Sequence, residues 1–113
     1  MNKYNASKTT VNGITFDSRK EAERYIVLKS MEDTGIISDL RLQVRYELVP
    51  KQKIGGETFR KVEYIADFVY IKDGAEVVED VKGYRNPASA AYAKYVLKRK
   101  LMAWIHGIVI TEV

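Results

Sequence analysis

Two aspartates and a lysine are brought together by a hairpin that can be counted out along the chain. Asp73-Gly74 separates two strand-like runs and is a strong two-residue turn signal. With that pair as the loop, Lys72 faces Ala75. Counting outward along both strands sets Asp67 directly opposite Asp80, with Lys82 one step further on the same face as Asp80. Directly opposed side chains have β-carbons roughly 4.5–5.5 Å apart, and like charges there destabilise a sheet. A hard divalent cation resolves the conflict, because Mg²⁺ takes one or two carboxylates plus waters and phosphate oxygens. Two plainer readings stand beside it. Lys82 alone can neutralise the acids, or a longer loop can shift the register and part them.

A third carboxylate comes from the first helix. At about 100° per residue, Glu21 lies on the apolar stripe with Tyr25 and Leu28, whereas Glu23 falls on the solvated side. Glu21 is also the fourth position of a capping box begun by Ser18, and the two roles are compatible. Glu79 is one residue out of phase with Asp80 and belongs to the opposite face. A bulge in the strand would let it replace Asp80.

Composition narrows the chemistry. The chain has 113 residues, 46% of them apolar, so one domain over 1–113 with a small core is expected. The absence of cysteine excludes disulfides, thiolate zinc and cysteine nucleophiles. His106, the single histidine, disfavours His-rich metal sites and hydrolytic triads. No apolar run approaches the roughly 20 residues of a membrane span, and the polar N-terminus has no signal-peptide core. A cytoplasmic protein is expected.

Net charge is +4, unevenly spread. Residues 82–106 hold six basic residues (Lys82, Arg85, Lys94, Lys98, Arg99, Lys100) and no acid, leaving 13 basic against 15 acidic residues elsewhere. That asymmetry suits a polyanion such as DNA, although a solvated helix face has the same composition. Lys94 and Lys98 share one helix face, interleaved with Tyr92, Tyr95 and Trp104, and Trp104 is expected to pack inside. Lys51, Lys53 and Arg60 offer a second basic segment, or merely a mobile hairpin tip.

The elements that must position these groups can be read in order. Residues 1–13 look like a flexible polar arm. A helix runs from Ser18 to about Thr34 and stops at Gly35. The alternating Leu42, Val44, Tyr46 and Leu48 read as a strand. Pro50 and Gly55-Gly56 mark a turn. Residues 59–71 read as a long central strand, with Val62, Tyr64, Ala66, Phe68 and Tyr70 on one face and Ile65, Val69 and Ile71, joined by Asp67, on the other. Its partner runs from Ala75 to Lys82. Asn86-Pro87 starts a second helix that continues to His106 and ends at Gly107. Residues 108–111 form a last strand, entered by a crossover and therefore parallel. The expected class is α/β (α+β), in the order αβββαβ, with a mixed central sheet flanked by helices.

Ile65-Ala66-Asp67, the hairpin, and Glu79-Asp80-Val81-Lys82-Gly83 together resemble the PD-(D/E)XK nuclease signature. Ala66 stands where the motif's name has proline. Ser18-x-x-Glu21 is similar to the acidic first helix of that superfamily, and the αβββαβ order to its restriction-endonuclease-like core. The likeness is greatest to small phage endonucleases and Holliday-junction resolvases. The resemblance implies Mg²⁺ or Mn²⁺ bound by Asp67, Asp80 and the Val81 carbonyl, with Glu21 positioning a metal water or a second ion. It implies Lys82 as the group that orients or deprotonates the attacking water. Gln43, on the first long strand, stands near a glutamine that supports the site in many members; it is equally an ordinary polar residue. The function implied is a metal-dependent endodeoxyribonuclease acting on branched or recombination-derived DNA, a homodimer if it resolves junctions, in a cytoplasm that can be that of a phage-infected bacterium. Lys94, Lys98, Arg99, Lys100 and Arg85 would hold the DNA. The alternative is a non-catalytic DNA-binding module on a degenerate nuclease fold.

Overall fold

A computed structural model describes residues 8–83 and 86–113. Arg85, one of the expected DNA contacts, lies outside the described residues. The chain begins with a small hairpin, β1 (Thr9–Val11) and β2 (Ile14–Phe16), followed by α1 (Arg19–Asp33), β3 (Ser38–Val49), a second hairpin β4 (Gln52–Ile54) and β5 (Glu57–Phe59), then β6 (Val62–Lys72), β7 (Ala75–Asp80), α2 (Ala90–Leu101), a π-helical turn (Met102–His106) and β8 (Thr111–Glu112). The central sheet has the order β3-β6-β7-β8. Its first three strands are antiparallel, and β8 joins β7 in parallel. Without the two accessory hairpins this is the expected αβββαβ order, a mixed α+β fold with a helix on each face of the sheet.

Of the arm expected over 1–13, residues 1–7 lie outside the described residues, and Thr9–Val11 is a strand. Asn12 and Gly13 both take positive φ (50° and 77°) and close β1 onto β2, the geometry of a two-residue type I′ turn. The turn or hairpin tip expected at Gly55-Gly56 closes a hairpin of its own, β4–β5.

α1 has the ends expected of it. Ser18 Oγ accepts the Glu21 N–H at 3.1 Å, Thr34 is the C-cap, and Gly35 follows with φ 81°. The second helix begins three residues later than expected. Asn86 Oδ1 accepts the Ala88 N–H (3.0 Å) in a local turn, which leaves Ser89 to cap Tyr92 N–H at 3.1 Å. After Leu101 the helix widens into the π turn, and Gly107 at φ 66° stops it.

Two apolar clusters hold the helices to the sheet. Ala22, Tyr25 and Leu28 of α1 pack with Phe16, Phe68 and Tyr70 on one side. Met102 and Ile110 pack with Tyr64, Ala66, Val69 and Val78 on the other, with Tyr95 and Leu101 against them. These assignments correct the expected faces of β6. Phe68 and Tyr70 face α1, but Tyr64 and Ala66 face α2. On β3, Leu42 packs with the first cluster and Val44 with the second. Residues two apart on a regular strand share a face, so both strands change faces together at Gln43 and Asp67. Gln43 sits at φ 52°, a left-handed conformation uncommon outside glycine, while the register passes from Leu42↔Phe68 to Val44↔Ala66 without a slip.

Trp104 is the other correction. It is 85% exposed, and Met102 is fully buried in its stead. The last strand is also shorter than expected: Ile110 is a core residue, but pairing with β7 starts at Thr111.

Candidate active site

The β6–β7 hairpin has the register counted from Asp73-Gly74, with pairs from Lys72↔Ala75 to Phe68↔Glu79. The next step outward is Asp67 and Asp80, and there the strands part. Asp67 Oδ2 accepts the Val81 N–H at 2.8 Å. Its other oxygen faces Gln43 Nε2 at 3.4 Å. β7 turns instead to the C-terminus: Val113 N–H donates to the Asp80 carbonyl (3.0 Å) and Lys82 N–H to the Val113 carbonyl (2.8 Å). Asp67 therefore stands at a fork between two strands.

Asp80 is held on the α2 side. Lys82 Nζ lies 2.8 Å from Asp80 Oδ1, and Tyr64 OH donates to Oδ2 at 2.7 Å. The same ammonium lies 2.9 Å from the centroid of the Tyr95 ring, where the ring face favours a cation. Lys20 of α1 donates to the Lys82 carbonyl, which ties the first helix to this segment.

Glu21 approaches from α1 and is half-buried, as its place on the stripe requires. Its carboxyl is pushed up from 4.5 to about 7, first by burial, then by the charges of Asp67 and Asp17; Ser18 opposes the shift by hydrogen bonding, and Asp80 adds to it. Asp67 is raised in the same direction by burial and by Asp80, against the hydrogen bonds from Val81 and Gln43. Three carboxylates on α1, β6 and β7 thus feel one another. Charge repulsion and burial both disfavour the ionised forms of Glu21 and Asp67, and an added cation would relieve both. Among the described residues no three His, Cys, Asp or Glu side chains converge into a ready-made metal cage. Lys82 supplies positive charge at Asp80.

Glu79 does not belong to this group. No bulge brings it across: it faces α1, is 1% exposed, and is gripped by Arg24 through two hydrogen bonds of 2.9 and 2.6 Å. Tyr70 OH donates to it as well. Arg24 is the residue that reading by type and spacing missed. Its only signal was a basic side chain one turn beyond Glu21 on a helix facing an acidic strand. The Val81 group engaged at Asp67 is its N–H.

The basic residues of α2 divide. Lys94, Arg99 and Lys100 are exposed and Lys98 is partly covered. Arg99 is drawn to Glu112 at 4.0 Å. No described helix is long and apolar enough to cross a membrane.

Comparison with curated proteins finds no match. Among solved structures, the chain is similar to the crystal structure of protein VC1899 from Vibrio cholerae, with 16% identity and a TM-score of 0.42, over 93% of this chain and 35% of that one. The chain thus spans about a third of that protein's length. Residues 1–107 match the model of the family described as "Protein of unknown function (DUF1064)", and the chain belongs to that family.

Proposed function

We propose that the protein is a metal-dependent endodeoxyribonuclease. The observation that carries this reading is the fork. Asp67 and Asp80 stand side by side where β7 leaves β6, with Glu21 close enough to share their charge and Lys82 bonded to Asp80. A purely structural cluster would not be expected to keep Glu21 and Asp67 where burial and repulsion raise their proton affinity, with Asp80 beside them.

Asp67 and Asp80 would hold Mg²⁺ or Mn²⁺, with Glu21 beside them. The ion, when bound, would polarise the scissile phosphate and lower the pKa of its water. The chain's own contribution is positional. Gln43 and the Val81 N–H fix the Asp67 carboxylate, and Tyr64 fixes that of Asp80. With Asp80 holding a cation, the Lys82 ammonium, now 2.8 Å from Asp80 Oδ1, would be free to face a phosphate oxygen or the attacking water. Its stem remains held beside Tyr95. Branched DNA is the proposed substrate class and rests on the resemblance to junction resolvases. Cutting a four-way junction symmetrically would require a homodimer.

A second reading has its own observation. The absence of a ready-made cage among the described residues, with Lys82 already neutralising Asp80, suits a DNA-binding module that cuts nothing. One assay separates the two. Four-way junction, linear duplex and single-stranded DNA are incubated with Mn²⁺ and either wild type or Asp80→Ala. Metal-dependent cutting by the wild type alone supports the nuclease, and the preferred substrate identifies its class. Salt-sensitive binding with no cutting of any substrate replaces the nuclease with the binding module.

A further inference from the structure

Among the described residues β6 pairs only with β3 between Val62 and Asp67, so no described strand covers its other edge there. α2 runs along this opening. Between them lies a cleft of about 360 Å³ lined by Lys61, Val62 and Glu63 on one wall and by Lys94, Leu97, Lys98 and Leu101 on the other. Lys61 and Glu63 also border a second depression, of about 650 Å³, which brings in Lys51, Arg60 and Ile65. The two hollows share a rim and form one surface around the free edge of β6.

That surface carries five cations against one acid. Glu63 is already shared between Arg45 at 3.1 Å and Lys61 at 3.5 Å. Lys51, Arg60, Lys94 and Lys98 have no acidic partner among the described residues. Apolar side chains lie open to water in both hollows: Leu97 is 57% and Val62 38% exposed in the first, and Ile65 40% in the second. Apolar area flanked by unpaired cations fits a chain of phosphates with sugars between them. It fits a second copy of this protein poorly, because two such surfaces would repel.

The cleft leads to the fork. Tyr64, two residues from Val62 on the same strand, donates to Asp80. Five residues of strand separate Val62 from Asp67, about 17 Å at the usual rise.

We propose that the cleft between the free edge of β6 and α2, walled by Lys61, Lys94 and Lys98 and continued across the Lys61–Glu63 rim by Lys51 and Arg60, is the track that holds the DNA phosphate backbone. The base of the β4–β5 hairpin, at Lys51 and Arg60, and the start of β6 supply one side of the grip and α2 the other. The identity of the polyanion as DNA rests on the function proposed above; the existence of the track does not depend on cleavage.

Binding is measured by anisotropy with a labelled 24-base-pair duplex in EDTA, so that nothing is cut, from low to moderate salt. Each lysine that neutralises a phosphate contributes about −0.9 to the slope of log K against log salt. Lys61→Gln with Lys94→Gln should weaken binding at least tenfold at physiological salt and make the slope shallower by about 2. Lys72→Gln, at the far hairpin, should change neither. These side chains are exposed, so an unchanged melting curve confirms that each variant is folded. An unaltered slope in the double variant, or an equal loss in Lys72→Gln, overturns the track. So does a preference for heparin over DNA that the double variant leaves intact. If the wild type binds through this cleft but never cuts with Mn²⁺, the track stands and the nuclease falls.

Discussion

Asp67 accepts the Val81 N–H at 2.8 Å, and it does so where β7 abandons β6. One carboxylate therefore closes a strand fork and supplies negative charge to the candidate site. A backbone donor that loses its ladder partner must be satisfied elsewhere, and Asp67 satisfies it in a way that aims the other carboxylate oxygen at Gln43 and the site.

The two duties of Asp67 can be separated by substitution. Asp67→Asn keeps an acceptor for Val81 and should cost little stability. Asp67→Ala leaves the partly buried N–H unpaired and should cost about 1–3 kcal/mol in urea unfolding. Both should abolish cleavage and any thermal stabilisation by Mn²⁺. An asparagine variant that still cuts at the wild-type rate would remove Asp67 from the metal-binding set.

Glu79 provides the contrast. Its partner Arg24 is the only cation bonded to it among the described residues, and breaking a buried pair from one side leaves an uncompensated charge. Arg24→Ala should destabilise by about 3–5 kcal/mol, a large fraction of the stability of a small domain. Glu23→Ala, which loses only an exposed pair with Arg19, should stay within about 0.5 kcal/mol. Denaturant melts of both variants test this. Should Arg24→Ala melt like wild type, the Arg24–Glu79 pair is not a structural anchor.

The adjacency of Asp67 and Asp80 was legible because a two-residue turn fixes register and register fixes neighbours. The ends of α1 were legible because Ser18 and Gly35 have side-chain and backbone properties that act locally. The face switch at Gln43 was not. Glutamine has no preference for positive φ, and the conformation is imposed by the two clusters on opposite sides of the sheet. The start of α2 offered two competing caps, Asn86 and Ser89, and only the turn closed by Asn86 Oδ1 decides between them. Asn12-Gly13 carries the turn signal of the β1–β2 hairpin, but flanking strands of three residues are too short for alternation to mark them.

Trp104 was expected inside on its aromatic type alone. At about 100° per residue Met102 lies within about 20° of Tyr95 and Trp104 about 180° from it, so regular phase already sets Met102 in the core beside Tyr95 and Trp104 on the outside. Met102→Ala should therefore cost about 2–5 kcal/mol, whereas Trp104→Ala should change stability by less than about 0.5 kcal/mol. Intrinsic fluorescence offers a direct check, since Trp104 is the single tryptophan. Its emission should already be that of a solvated indole in the native protein and shift little on unfolding. A blue-shifted native spectrum would mean that another surface covers it.

The charge cluster makes the stability of the metal-free protein depend on pH through Glu21. Its folded pKa, about 7, lies above the ordinary 4.5, so between those values the native state holds a proton that the unfolded chain has released. Stability must then fall as pH rises through that window. The contribution is constant below about 4.5 and levels off above about 7. Because Glu21 is partly solvated, screening limits its size to about 1 kcal/mol. Glu21→Gln removes the titration, so in EDTA the variant should match wild type near pH 4 and exceed it increasingly up to pH 7. Added Mg²⁺ should reverse the order at pH 8, because the ionised carboxylate gains a partner that glutamine cannot replace. Urea melts at four or five pH values, with and without Mg²⁺, test both signs. A gain in the variant that is independent of pH would assign it to packing, and an absent reversal with Mg²⁺ would take Glu21 out of the metal's reach.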